Sequence, residues 1–155
     1  MIKIPETLLP VGVLDPAADA AGRTGLYISK KNVQRLFLLA YITQGNAATV
    51  KLTPTQASAV AGTGAKALTG TCRIWANEDA AAQTFTRQTD AKDFTTSAAL
   101  KDKIVIFEIT GAELDVANGF DCVTIATGAS HAANITSVIA LVDGRYSVVP
   151  SVITD

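Results

Sequence analysis

The residues of this 155-residue chain that invite a chemical reading are a single histidine, two cysteines, one lysine in a glycine loop and a run of carboxylates. Catalysis of the Ser/His/Asp or Cys/His kind needs a histidine held by a second hydrogen bond beside a nucleophile it can deprotonate. His131 lies in a stretch of Gly, Ala and Ser, and Cys122 falls upstream in a predicted strand, so nothing in the sequence brings them together. The string Gly62-Thr63-Gly64-Ala65-Lys66 invites comparison with a phosphate loop, whose glycines stand about four residues apart and whose lysine precedes a Ser or Thr. Here Thr63 alone separates the glycines and Ala67 follows the lysine, so the loop lacks the cradle and the magnesium hydroxyl. Glu108, Glu113, Asp115 and Asp121 crowd together but match no calcium-loop spacing. A glycosidase pair would want aromatic residues to hold sugars, and aromatics are 6% of the chain. The expectation is a protein that is not an enzyme and carries no cofactor or metal.

Composition points the same way. A net charge of −1 gives no basic face for a polyanion, so nucleic acid is not an expected partner. The longest apolar run, Leu36 to Ile42, is too short to span a membrane as a helix, and Met1 to Glu6 does not read as a signal peptide. Charged residues make up only 17%, which leaves apolar surface to be covered by other copies or by another protein. Cys72 and Cys122 both fall in predicted strands without metal-ligand spacing and read as small buried hydrophobes, reduced unless their strands are neighbours.

The elements that must position these residues are strands. Ile104 to Ile109 and Val123 to Ile125 are β-branched and aromatic, suited to a pleated buried surface. Between them, Thr110 to Asp115 reads as one helical turn and Asn118-Gly119 as the positive-φ position that returns the chain to the sheet. Leu114 and Phe120 are expected to plug this corner, Gly119 to supply its backbone freedom, and Asp115 to accept from its unpaired N–H groups.

Residues 1–25, with Pro5, Pro10, Pro16 and several alanines, read as an extended arm preceding a domain over 26–155. Val11, Val13 and Leu14 would anchor that arm on a neighbouring subunit, or pack it on its own domain. Asn32 to Thr43 and Thr49 to Thr53, joined by a glycine-containing turn, are expected to pair as a hairpin. Thr69 to Ala76 alternates so that Ile74 and Ala76 share one face and Arg73 and Trp75 the other, which makes Trp75 a candidate interface residue. Gln83 to Gln88 and Phe94 to Thr96 look like short edges. Ser137 to Val142 reads as a core strand, Asp143-Gly144 as a turn, and Arg145 to Val149 as a closing strand. Together these predict an all-β, single-domain antiparallel β-sandwich, jelly-roll-like, with an extended N-terminal arm.

The order of several strings resembles a family of small virion proteins encoded beside the capsid genes of tailed bacteriophages. They are Arg35-Leu36-Phe37-Leu38-Leu39, Thr49-Val50-Lys51-Leu52, Ala61 to Lys66, Glu113-Leu114-Asp115 with Asn118-Gly119-Phe120, Cys122 to Ile125, and Arg145-Tyr146. The resemblance implies a head decoration, or cement, protein that binds the major capsid protein on the outer shell, as a dimer or trimer. A connector or tail component, and a carbohydrate or host-recognition module, are the alternatives in other classes.

Overall fold

The computed structural model describes residues 8–145, so the predicted strand from Arg145 to Val149 lies almost wholly outside the described residues. The strands are β1 (Leu8–Ala18), β2 (Arg23–Thr24), β3 (Ile28–Ser29), β4 (Val33–Gln44), β5 (Lys51–Ala57) and β6 (Lys66–Ala67). They continue as β7 (Arg73–Asn77), β8 (Thr86–Arg87), β9 (Phe94–Thr95), β10 (Asp102–Ile109), β11 (Cys122–Thr127) and β12 (Asn134–Gly144). Single 3-10 turns over Ala80–Ala82 and Val116–Asn118 are the helical elements among the described residues.

These strands form two antiparallel sheets, which makes the chain the expected β-sandwich. The first runs β1-β12-β4-β10-β7-β8, and the second runs β2-β11-β5-β6 with β3 on β11 and β9 on β5. Alternation decides which side chains are inside. Along β4, Leu36, Leu38, Ala40 and Ile42 are fully buried while Phe37, Leu39 and Tyr41 between them point away from the core. β10 buries Val105, Phe107 and Ile109 against them, and the second sheet answers with Leu52, Val123 and Ile125. Burial of these β-branched and aromatic side chains is the main stabilising term of the fold.

The central strand-corner-strand unit is present, but its corner carries the chain from one sheet to the other rather than back into the same one. The helical turn also lies later than Thr110 to Asp115, at Val116–Asn118, closed by Gly119 at φ +80°. Leu114 is buried beneath it and Phe120 is half-buried. Asp115 makes no side-chain cap bond to the turn. The carboxylate that serves the backbone is Glu113, whose Oε2 accepts from Thr110 N–H at 2.7 Å and from the Thr110 hydroxyl at 2.8 Å. The reason is reach: Asp115 is engaged elsewhere, by the Lys66 ammonium and by Asn118 Nδ2 at 2.8 Å.

Two further expectations are corrected. β4 and β5 do not form a hairpin, because β4 pairs with β12 and β10 while β5 pairs with β11 in the opposite sheet. The connection between them is held by tertiary bonds instead, with Asn46 N–H donating to Asn134 Oδ1 and Val50 N–H to Thr96 Oγ1. Asp143-Gly144 is not a turn, since β12 continues through both with an irregularity between them. Of the two placements open to the arm, the structure shows packing on its own domain. From Leu8 to Ala18 it is the edge strand β1, paired along β12, where its prolines do not interrupt a ladder on the outer side. Arg23 latches it by donating to the carbonyls of Asp15, Ala17 and Thr136 and to the buried Asp19 carboxylate.

One buried ion was not foreseen. Lys103 is completely buried, and its ammonium donates to Gln44 Oε1 at 2.9 Å, to Ser97 O at 2.6 Å and to Ser97 Oγ at 3.0 Å. Glu78 completes the pair at 3.1 Å. Burial pushes the Glu78 carboxyl up, but its bonds from Ser97 and the Lys103 charge outweigh this and hold it below the usual carboxylate range.

Candidate interaction surface

An antiparallel sheet with one face in water normally shows polar residues on that face. The outer face of the first sheet does so only in part: Ser137 stands beside Tyr41 and Glu108 beside Phe37, but most of its centre is apolar. Register places Ile139 of β12, Leu39 of β4, Ile106 of β10 and Trp75 of β7 side by side in one row across the sheet. A second row sets Leu141 beside Phe37, and a third sets Tyr41 beside Ile104. Ile139, Tyr41 and Ile135 remain 46%, 42% and 41% exposed, so this apolar surface is open among the described residues. A shallow groove of about 400 Å³ runs over Leu8, Phe37, Leu39, Ile106 and Leu141.

Charges occupy the margin and are neutralised within the chain. Arg35 pairs with Asp143 at 3.0 Å and lies 5.7 Å from the centre of the Phe37 ring. Arg73 pairs with Glu108 at 3.5 Å, and Arg87 pairs with Asp90 while its guanidinium lies 5.0 Å from the Trp75 ring. At the far end, the Tyr41 hydroxyl donates to Asp102 at 3.1 Å, which raises its pKa above the ordinary tyrosine value. The result is an apolar centre with an electroneutral rim.

Of the four residues singled out for interaction, the structure brings only Trp75 to this surface. Val13 and Leu14 are buried in the chain's own core, and Val11 is half-buried against it, so none is presented to a neighbour. The arm's apolar residues thus serve the sandwich, because β1 must cover one end of the core beside β12. Phe37, Leu39, Ile104, Ile106 and Ile139 were missed as surface residues. Their signal was present in the sequence: β4 from Leu36 to Ile42 and β10 from Ile104 to Phe107 are uninterrupted apolar runs, which read as burial on both faces when only one face has a partner among the described residues.

The corner gathers a second cluster. The Lys66 ammonium pairs with Asp115 and sits 3.7 Å from the centre of the Phe120 ring, so the lysine of the glycine loop clamps the corner. The hydrogen bond from Lys66 holds the Asp115 carboxyl below the usual range. Beside it, Lys30 is buried with its ammonium donating to Ile109 O at 3.0 Å, and burial lowers its pKa to about 8.

The remaining candidates are apart. His131 is exposed and its Nδ1 accepts from Ala133 N–H at 3.0 Å, a local loop bond. Cys72 and Cys122 are buried and not joined in a disulfide. Cys72 bridges Ala91 and burial raises its thiol to about 11, whereas Cys122 begins β11 in the second sheet. Among the described residues, no group of three or more His, Cys, Asp or Glu side chains assembles as a metal site. No helix among them is long and apolar enough to cross a membrane.

With this geometry in hand, the chain can be compared with known proteins. It is similar in fold to the SPBc2 prophage-derived protein YomS, known from a crystal structure. The two superpose with a TM-score of 0.50 at 12% sequence identity, over 92% of this chain and 97% of that one. Nearly the whole of each chain is covered, so the likeness is one of complete architecture and not of a shared fragment. No protein-family model matches the chain, and no curated protein matches it either.

Proposed function

We propose that this chain is a structural subunit of a tailed-bacteriophage particle and that it acts as a decoration protein on the outside of the head. The observation that carries the reading is the outer face of the first sheet: a folded sandwich spends its exposed surface on a broad apolar patch, and the polar groups around it are already paired. A surface of that kind is an assembly device. The fold shared with a prophage-derived protein supports the phage setting, and the order of strings quoted above supports the head.

The mechanism is mechanical. A shell filled with DNA is pushed outward, and a subunit that straddles neighbouring capsomers adds buried area across the contacts that would part first. A decoration protein that is itself oligomeric binds through several contacts at once, and each contact after the first forms at a high effective concentration. The major capsid protein and further copies of this chain are the partners in this scheme, and the virion surface is its location.

Cryo-electron microscopy of purified heads from the phage that encodes this chain tests the proposal. The expected result is density for this sandwich on the outer shell. The same domain found in the connector or tail, or missing from the particle, would overturn the decoration role.

A further inference from the structure

The outer face of the first sheet needs an occupant, and we infer that it is the same face of a second copy of this chain. The inference deepens the assembly reading above and shares with it the premise that this face docks.

Size comes first. Five strands from β1 to β7 at a spacing of about 4.8 Å span about 20 Å, and the outward positions from Arg35 to Thr43 rise about 27 Å along the strand. That flat footprint of about 500 Å², enlarged by the relief of its side chains, approaches the roughly 800 Å² per partner of a standard stable interface. A short peptide laid in the groove would cover about one strand's width and leave the row from Ile139 to Trp75 in water.

Charge comes second. A strongly basic or acidic partner would need unpaired charge of one sign on this face. Instead Arg35–Asp143 and Arg73–Glu108 present both signs side by side. A two-fold contact requires a patch to complement itself, and adjacent opposite charges around an apolar centre meet that requirement.

Chemistry comes third. The outward side chains Leu39, Ile106, Ile139 and Phe37 are the types that fill the inner faces of this same sandwich, where sheets pack about 10 Å apart. Two copies joined in this way would extend the sandwich by one more apolar layer, with Trp75 at its margin under the Arg87 guanidinium.

Sedimentation velocity of the full chain, from about 1 µM to about 100 µM, reads the inference directly, because an interface of this size is expected to hold at micromolar concentration. The expected result is a dimer that dissociates on dilution. Ile139→Lys should weaken it at least tenfold without lowering the melting temperature, since Ile139 is 46% exposed. Ile135→Lys is the second variant if the first destabilises the fold. Thr53→Lys, on the outer face of the second sheet, should leave association unchanged. A wild-type monomer at 100 µM would overturn the inference. So would a dimer indifferent to both face substitutions, or a monomer whose Trp75 is already shielded by the chain's own terminal segments. Because the measurement uses the isolated chain, a monomer that still decorates heads would remove the second copy while leaving the decoration role standing, and a dimer absent from heads would do the reverse.

Discussion

The two sheets of this sandwich share one core and differ on their outer faces. In the first sheet, β4 turns Phe37, Leu39 and Tyr41 outward and β10 turns out Ile104 and Ile106. In the second, β5 turns out Lys51, Thr53 and Thr55, and β11 presents Thr124 and Ala126 to them across the ladder. The second face is small and polar and is finished within the chain: Lys51 pairs with Asp93, and the segment through Gly25 lies against Thr124. The first face stays apolar at its centre. The difference teaches that arrangement matters more than amount: Leu26, Phe85, Leu100 and Val116 are also exposed but stand apart outside that sheet, whereas Tyr41, Ile135 and Ile139 share one face with Leu39 and Ile106.

Neighbouring residues on β4 give the sharpest way to break the comparison. Leu38→Ala removes a fully buried side chain and should cost about 2–5 kcal/mol in denaturant unfolding. Leu39→Ala, one position along but facing out, should cost under about 1 kcal/mol in a dilute sample and act instead on association. Equal losses at the two positions would mean that the outer face is covered within the monomer.

Lys103→Met comes next. It strips the donor from Gln44 and Ser97 and leaves Glu78 without its ion, and a broken buried pair of this kind costs about 3–5 kcal/mol, reduced here because Glu78 keeps 36% exposure to water. The expected net loss in urea unfolding is about 2–3 kcal/mol. Its outer-face counterpart, Arg35→Met, breaks the pair with Asp143, whose partners keep 49% and 20% exposure, and should shift stability by no more than about 1 kcal/mol.

Lys30 supplies a smaller, pH-dependent effect. Its folded pKa of about 8 lies below the ordinary 10.5, so between these values the unfolded chain binds more protons than the folded one. Stability from this group therefore rises as pH increases from about 8 to about 10.5. Melting curves across that window should climb relative to those of Lys30→Met, and parallel curves would contradict the assigned burial. The smallest effect is expected for Thr53→Lys, within about 0.5 kcal/mol of wild type by thermal melting, because Thr53 is only half-buried beside Lys51 and Thr55 and a lysine there can carry its ammonium to water.

Much of the sandwich was legible because period-two alternation and turn residues are local signals. Ile74 and Ala76 lie inside and Trp75 outside, as their spacing requires, and Gly119 takes the positive φ that its place after Asn118 implied. Which strands pair was less legible. The connection from Gln44 to Val50 looks like a hairpin in sequence, yet it crosses between sheets because Asn134 and Thr96, far along the chain, hold its backbone. The placement of the arm was open for a related reason: prolines mark an extended chain, but only the Asp19–Arg23 latch and the β12 ladder show that it lies on its own domain. The apolar outer face was hidden because a run such as Leu36 to Ile42 looks the same whether its second face is covered by the chain or left open. Asp115 was given the task that Glu113 performs, since both are carboxylates near the corner and only geometry separates them.

Trp75 offers the most direct test of the claim that this face docks, because it is the chain's one tryptophan and lies in the row with Ile106 and Leu39. Acrylamide quenching of its fluorescence would be measured in dilute samples and again at high protein concentration. The account predicts quenching that falls severalfold on concentration in the wild type and stays high in Ile139→Lys. Quenching that is the same at every concentration, in both proteins, would contradict it.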